Sequence, residues 1–165
     1  MTTDDLILQA LRNSSLSEEL RDSEIDALAS LIVVRDYKAG EAILKPGDDA
    51  LKDTLLILGS GEVEATAITS GEKVTLHLLK PGDLAGIIGF VGGSAMQISA
   101  TVVAQTDSKV LLLDRIRLES LLSTQPAIVY YVMRGIVRHV HGIVRRMNFQ
   151  SVEMSNYIYK QGGRY

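Results

Sequence analysis

The run Pro81-Gly82-Asp83-Leu84-Ala85-Gly86-Ile87-Ile88-Gly89-Phe90 has the residue spacing best suited to ligand chemistry in this 165-residue chain. A Pro-Gly turn leads to glycines at 86 and 89. After Gly92-Gly93-Ser94 the chain returns to a β-rich run, Ile98-Ser99-Ala100-Thr101-Val102-Val103-Ala104. Glycines opening a short helical turn let backbone N–H groups converge on one point, which suits a phosphate. Yet no charged side chain falls between Leu84 and Ala104. An anion held there would have only backbone amides and uncharged side-chain donors.

Other chemistry is sparse. The absence of cysteine removes disulfides, thiolate catalysis and Cys-ligated zinc together. Of three histidines, His77 lies in a strand-like run, while His139 and His141 sit two apart on a helix and so face different ways. That is a poor ligand set for a metal oxygenase. No serine stands in a G-x-S-x-G turn, so the expectation is a non-catalytic protein without metal or cofactor. The net charge is −3, but residues 126–165 hold six of the 17 basic side chains and only one of the 20 acidic ones. Arg134, Arg138, Arg145, Arg146 and Lys160 could serve a nucleic acid. The acidic remainder and Phe149 as the nearby aromatic favour a solvated helix face instead. No apolar run approaches about 18 residues, and Met1-Thr2-Thr3-Asp4-Asp5 has no secretory pattern, so a soluble, cytoplasmic chain without membrane contact is expected.

The elements that must position the glycine run follow from texture. Residues 4–35 read as helical, with Leu6, Ile7 and Leu11, then Ile25, Leu28, Leu31 and Ile32, on apolar faces and capping boxes at Ser15-x-x-Glu18 and Ser23-x-x-Asp26. Ten of 14 glycines fall between 40 and 93, dividing short apolar runs such as 54–58, 63–68 and 74–79; these read as antiparallel strands. Pro-Gly-Asp at 46–48 and 81–83 reads as two turns. The predicted fold is mainly β with flanking helices, a jelly-roll or double-stranded β-helix. It divides into a helical segment 1–35, a β-roll 36–114 with a cassette-like loop at 82–101, C-terminal helices 115–150 and a loosely ordered tail 151–165. Pro126 suits the first turn of a long helix. Along it Val129, Val132, Ile136, Val140, Ile143 and Met147 step by three and four, a seam that packs on its own barrel, on the same helix of a second chain, or on both at successive levels. A homodimer through that seam is expected, with Gly135 and Gly142 allowing close backbone approach.

Four segments, in order, carry a resemblance: Tyr37-Lys38-Ala39-Gly40-Glu41-Ala42-Ile43 with Pro46-Gly47-Asp48; Leu56-Ile57-Leu58-Gly59-Ser60-Gly61-Glu62-Val63-Glu64; Leu79-Lys80-Pro81-Gly82-Asp83-Leu84-Ala85-Gly86; and Val110-Leu111-Leu112-Leu113-Asp114-Arg115. Over residues 11–148 the chain resembles cyclic-nucleotide-binding domains of catabolite-activator regulators, cyclic-nucleotide-dependent kinases and gated channels. The resemblance implies an eight-stranded β-roll, N-terminal helices, a long C-terminal helix and a nucleotide pocket lined by Gly86, Ile87, Ile88, Gln97, Ile98, Ser99 and Ala100 under Ile143 and Val144. It also implies a carboxylate after the cassette glycine for the ribose and an arginine for the cyclic phosphate. Here those places hold Ile87 and Ile98, or Gln97 if the gap is drawn differently. About 15 residues follow Phe149, too few for a DNA-reading helix-turn-helix. The function expected is that of a stand-alone regulatory module with lost or altered cyclic nucleotide binding, acting through an unidentified protein partner. The alternatives are a true cyclic AMP or cyclic GMP sensor with an atypical site, and a basic-helix nucleic-acid binder.

Overall fold

The structure is a computed structural model and describes residues 1–92 and 100–162. Helix α1 (Thr3–Asn13) begins where the Thr2 hydroxyl accepts the Asp5 N–H (3.1 Å) and the Asp5 carboxylate accepts the Thr2 N–H (3.0 Å). This reciprocal cap satisfies two orphan donors. Helix α2 (Asp22–Ala29) starts at Arg21, whose N–H donates to the Glu24 carboxylate at 2.7 Å. The boxes predicted at Ser15 and Ser23 are not used. A 3-10 turn over Ser15–Ser17, capped by Ser14, fills the space, because the extended backbone that a cap requires falls at Thr2, Ser14 and Arg21. The end of the predicted helical segment is instead strand: Val33–Tyr37 pairs with a later strand, as the β-branched pair Val33-Val34 prefers.

Among the described residues eight strands form two antiparallel four-stranded sheets, the β-roll expected from the glycine-punctuated runs. One sheet has the order β1 (Val33–Tyr37), β8 (Ser108–Asp114), β3 (Thr54–Ser60), β6 (Leu84–Ala85); the other β2 (Ala42–Leu44), β7 (Thr101–Ala104), β4 (Val63–Thr69), β5 (Glu72–Leu79). The unbroken apolar runs of β3 and β8 have a physical reason, since both faces of that sheet are covered. Leu55, Ile57, Leu111 and Leu113 point into a core shared with Leu11 and Leu28 of the N-terminal helices. Leu56, Leu58, Val110 and Leu112 point the other way, against Val63, Leu79, Val102 and Ala104.

Helix α4 (Arg115–Glu119) and a 3-10 turn lead to α5 (Pro126–Gly162), whose 37 residues span about 55 Å. Pro126 occupies its first position, where a missing N–H costs nothing. Two expectations are corrected here. Residues 151–162, read as a loose tail, continue the helix. Val129, Val132 and Ile136, assigned to a dimer interface, are at most 8% exposed and packed in the chain's own helical core. Gly135 explains the closeness of that packing, because a Cβ there would stand 2.3 Å from the Ser15 carbonyl oxygen and 2.8 Å from Leu16 Cα. Gly142, assigned the same role, faces open space. The close backbone approach foreseen for two chains takes place within one.

Candidate ligand pocket

The cassette is built on one short helix, α3 (Ile87–Val91). Gly86 caps it at φ +74°, a left-handed conformation that favours glycine, with its open side 3.0 Å from the Thr54 carbonyl oxygen. Gly89 lets the helix lie on the backbone of Lys52, whose carbonyl oxygen a Cβ would meet at 2.3 Å. Between them Phe90 drives its ring into the helical core at 1% exposure, and Ile87 packs against the same core. α3 therefore touches the pocket with one side and the helical layer with the other.

The pocket measures about 210 Å³. Gly86, Ile87, Ile88 and Ala100, predicted as lining, do line it. Gln97, Ile98 and Ser99 lie outside the described residues. Ile143 and Val144 are not among the lining residues, which corrects the predicted roof. The reason is the course of α5: it is held to Ser15 and Leu16 at Gly135, leaving Ile143 half-buried and Val144 exposed. In their place the structure adds Leu44, Leu51, Ala85, Gly89 and Val102. Leu44 and Val102 are register partners across β2 and β7, a pairing with no local signature in the sequence. Among the described lining residues no side chain carries a charge or a hydrogen-bonding group.

A cation beside the cassette is already engaged. The Arg115 guanidinium stands 3.8 Å from where a Gly92 Cβ would be, and it pairs with Asp53 at 3.0 Å and Glu119 at 3.3 Å. The Asp53 hydrogen bond raises its pKa further. On α5, Arg134 and Arg138 pair with Glu19 at 2.9 and 3.0 Å, and Arg138 also reaches Glu18 at 2.9 Å, so two of the five cations of the suspected basic stripe are neutralised within the chain. Glu19 is correspondingly held below the usual carboxylate range, chiefly by its hydrogen bond from Arg138.

The histidines come closer together than spacing alone suggests. His77 Nε2 stands 3.5 Å from Asp83 Oδ2, and Asp83 also accepts the Lys80 N–H at 2.9 Å. His139, from α5, has its pKa lowered by burial; His77 and Arg146 add to that effect and Asp83 opposes it. The Nε2 atoms of both rings are buried without a hydrogen-bond partner. Among the described residues no group of three or more histidine or carboxylate side chains is arranged to hold a metal ion.

With the β-roll and the cassette defined, comparison with known proteins becomes decisive. The sequence pattern described as "Cyclic nucleotide-binding domain" matches residues 34–125, more than half of the chain. The chain belongs to the cyclic nucleotide-binding domain family. A cyclic nucleotide-binding domain from Methylobacillus flagellatus superposes with a TM-score of 0.79 at 21% identity, covering 92% of this chain and 83% of that one. The catabolite activator protein of Thermus thermophilus gives 0.68 at 27% identity, covering 84% and 63%. In sequence, the patatin-like phospholipase domain-containing protein 6 of Mus musculus is 26% identical over 153 residues, 90% of this chain and 11% of that protein. This member of the cyclic nucleotide-binding family thus spans about a tenth of the length of that relative. Among its described residues no helix is long and apolar enough to cross a membrane.

Proposed function

We propose that this chain is a non-catalytic regulatory module that has given up cyclic nucleotide binding and acts through a protein partner. The carrying observation is the pocket wall: its described lining offers no cation to a cyclic phosphate and no carboxylate to a ribose, with Ile87 directly after the cassette glycine. Removing one partner of a buried charged contact costs about 2–5 kcal/mol. Two such losses take a micromolar site beyond millimolar, at about tenfold per 1.4 kcal/mol. Arg115 does not replace the missing cation, because Asp53 and Glu119 already hold it. The partner reading is supported by edge strand β5, which turns Val74, Leu76 and Leu78 outward. An apolar patch of this kind marks protein contact. The link from pocket to partner would run through α3, since any occupant touching Ile87 and Ile88 acts on the helix that carries Phe90 into the helical core; occupancy shifts that packing only by favouring one arrangement. The enzyme activity in the name of the phospholipase-domain relative does not transfer, because this chain matches a small part of it. A cysteine-free chain fits a reducing cytoplasm.

Titration calorimetry with cyclic AMP and cyclic GMP up to millimolar concentration tests this. The expected outcome is no saturable heat, and saturation at micromolar ligand overturns the reading. A second reading rests on the same wall: a dry apolar cavity of about 150 Å³ holds benzene, so 210 Å³ suits a small apolar ligand. Displacement of an environment-sensitive apolar dye by medium-chain alcohols, abolished in Ala100→Phe, is the result expected if the pocket serves that role.

A further inference from the structure

Helix α5 carries the same four residues twice. Gly135-Ile136-Val137-Arg138 returns as Gly142-Ile143-Val144-Arg145, and a step of seven residues brings a helix back to the same side within about 20°. The first copy is occupied by the chain itself. The backbone of Ser15 and Leu16 lies on Gly135, Leu16 is fully buried there, and Arg138 pairs with Glu18 at 2.9 Å and Glu19 at 3.0 Å. A Gly-Ile-Val-Arg copy thus holds a small residue crossing the glycine, a leucine to bury, and carboxylates within the next turn. The second copy offers the same features uncovered. Gly142 meets nothing within 4 Å, and among the described residues neither Arg145 nor the adjacent Arg146 is in an ion pair. An open groove of about 810 Å³ runs along this copy, lined by Gly142, Arg145, Arg146, Phe149 and Val152 among others.

We infer that the second copy is the docking site for an acidic segment of a partner protein, built like the chain's own Ser15–Glu19. Charge selects the occupant. Glu153 is the single carboxylate of residues 126–165, so the counter-charge for Arg145 and Arg146 comes from outside α5. The chain's own acidic segment is already engaged at Gly135, and from Val144 to Lys160 every described side chain of α5 is exposed. The new site continues the existing contact along the same line of the helix. A second α5 laid on that line would set arginine against arginine. Val140 and Met147 lie about 180° away around the helix, so pairing along that seam neither makes nor blocks this site. Arg145 and the exposed Phe149, one turn on, are of the residue types that anchor protein interfaces. The inference rests on the partner half of the proposed function, and it is independent of what the pocket binds.

The chain has no tryptophan, so a peptide that carries one can be followed by fluorescence without background. The probe is the chain's own Ser-Ser-Leu-Ser-Glu-Glu-Leu segment with a tryptophan added at its end, titrated against the whole protein up to about 1 mM. Saturation is expected. Gly142→Leu, which fills the open notch, and Arg145→Glu/Arg146→Glu should each weaken binding about tenfold or more, the effect of losing an interface anchor. The Gly142 variant also separates this site from the occupied copy at Gly135. A peptide with lysines in place of the two glutamates should bind the double glutamate variant and not the unmodified protein. No saturation, equal binding of both peptides to the unmodified protein, or binding unchanged by Gly142→Leu overturns the inference. Displacement of the peptide by a short DNA duplex at physiological salt overturns it too, and assigns these arginines to nucleic acid. If one variant fails to fold by circular dichroism, the other decides with the peptide pair. Calorimetry with cyclic nucleotides reads the pocket alone, so either result can fail without the other.

Discussion

Phe90 and His139 show how single residues couple the cassette and the long helix to the β-roll. Phe90 is fully buried on a five-residue helix, α3, and is its most deeply buried anchor. Phe90→Ala is expected to lower unfolding stability by about 3–4 kcal/mol, the cost of an aromatic cavity, as measured by urea denaturation. His139 predicts a pH response. Burial lowers its folded-state pKa below the ordinary 6.5, so the unfolded chain binds more protons between those two values. The stability gained by burying the neutral ring is therefore complete above about pH 6.5 and declines as pH falls toward the folded-state pKa. The facing groups are His77 and Asp83 from the β-roll and Arg146 from α5, and only Asp83 favours the proton. The urea midpoint should be lower at about pH 5.5 than at about pH 7.5, with His139→Gln flattening the difference. At this scale the sequence was legible where the motif is contiguous. Gly86, Ile87 and Ile88 follow one another along the pocket wall, and Ala100 begins the run that leads into β7. Leu44 and Leu51 arrive from other elements, and the proximity of His139 to His77 depends on a helix docking more than 60 residues downstream.

Among the elements, α5 is the one whose fate periodicity left open. Two apolar seams, 129–132–136 and 130–133–137, have identical spacing and differ by one residue, about 100° around the helix. Spacing establishes that a helix has apolar stripes. Which stripe faces inward is decided by what presses against it, here Ser15 and Leu16 against Gly135. Gly135→Ala accordingly sets a Cβ against backbone, and overpacking should outweigh the helix-propensity gain of about 1 kcal/mol, giving a net loss near 1–2 kcal/mol. Gly142→Ala meets open space, and should raise stability by about 0.5–1 kcal/mol. Thermal unfolding of the two variants side by side checks both signs. The strands were easier to read, because unbroken apolar runs at 55–58 and 110–113 mark a sheet covered on both faces and glycines mark its turns. The caps were harder, since a serine three residues before a carboxylate occurs at more places than helices begin.

Over the whole molecule, the fold class was legible because glycine punctuation, the long helix and the order of four motifs all agree. The function was less so, because ligand recruitment rests on side chains, and the places that the resemblance assigns to a carboxylate and an arginine hold Ile87 and Ile98, or Gln97, in this chain. The two cores differ in origin. The core between the sheets is made within residues 43–112, whereas the helical core joins Leu6, Leu11 and Leu28 to Val129, Val132 and Ile136. During synthesis Leu11 precedes Val132 by on the order of 120 residues, about 6–24 s at ordinary translation rates. Throughout that interval α1 and α2 have Leu55, Ile57, Leu111 and Leu113 to pack on but lack the cover of α5. The nascent chain should thus keep the α5-facing side of its helical core open until residue 136 emerges, and a stop codon placed before Val129 should yield a product that chaperones retain and proteases remove.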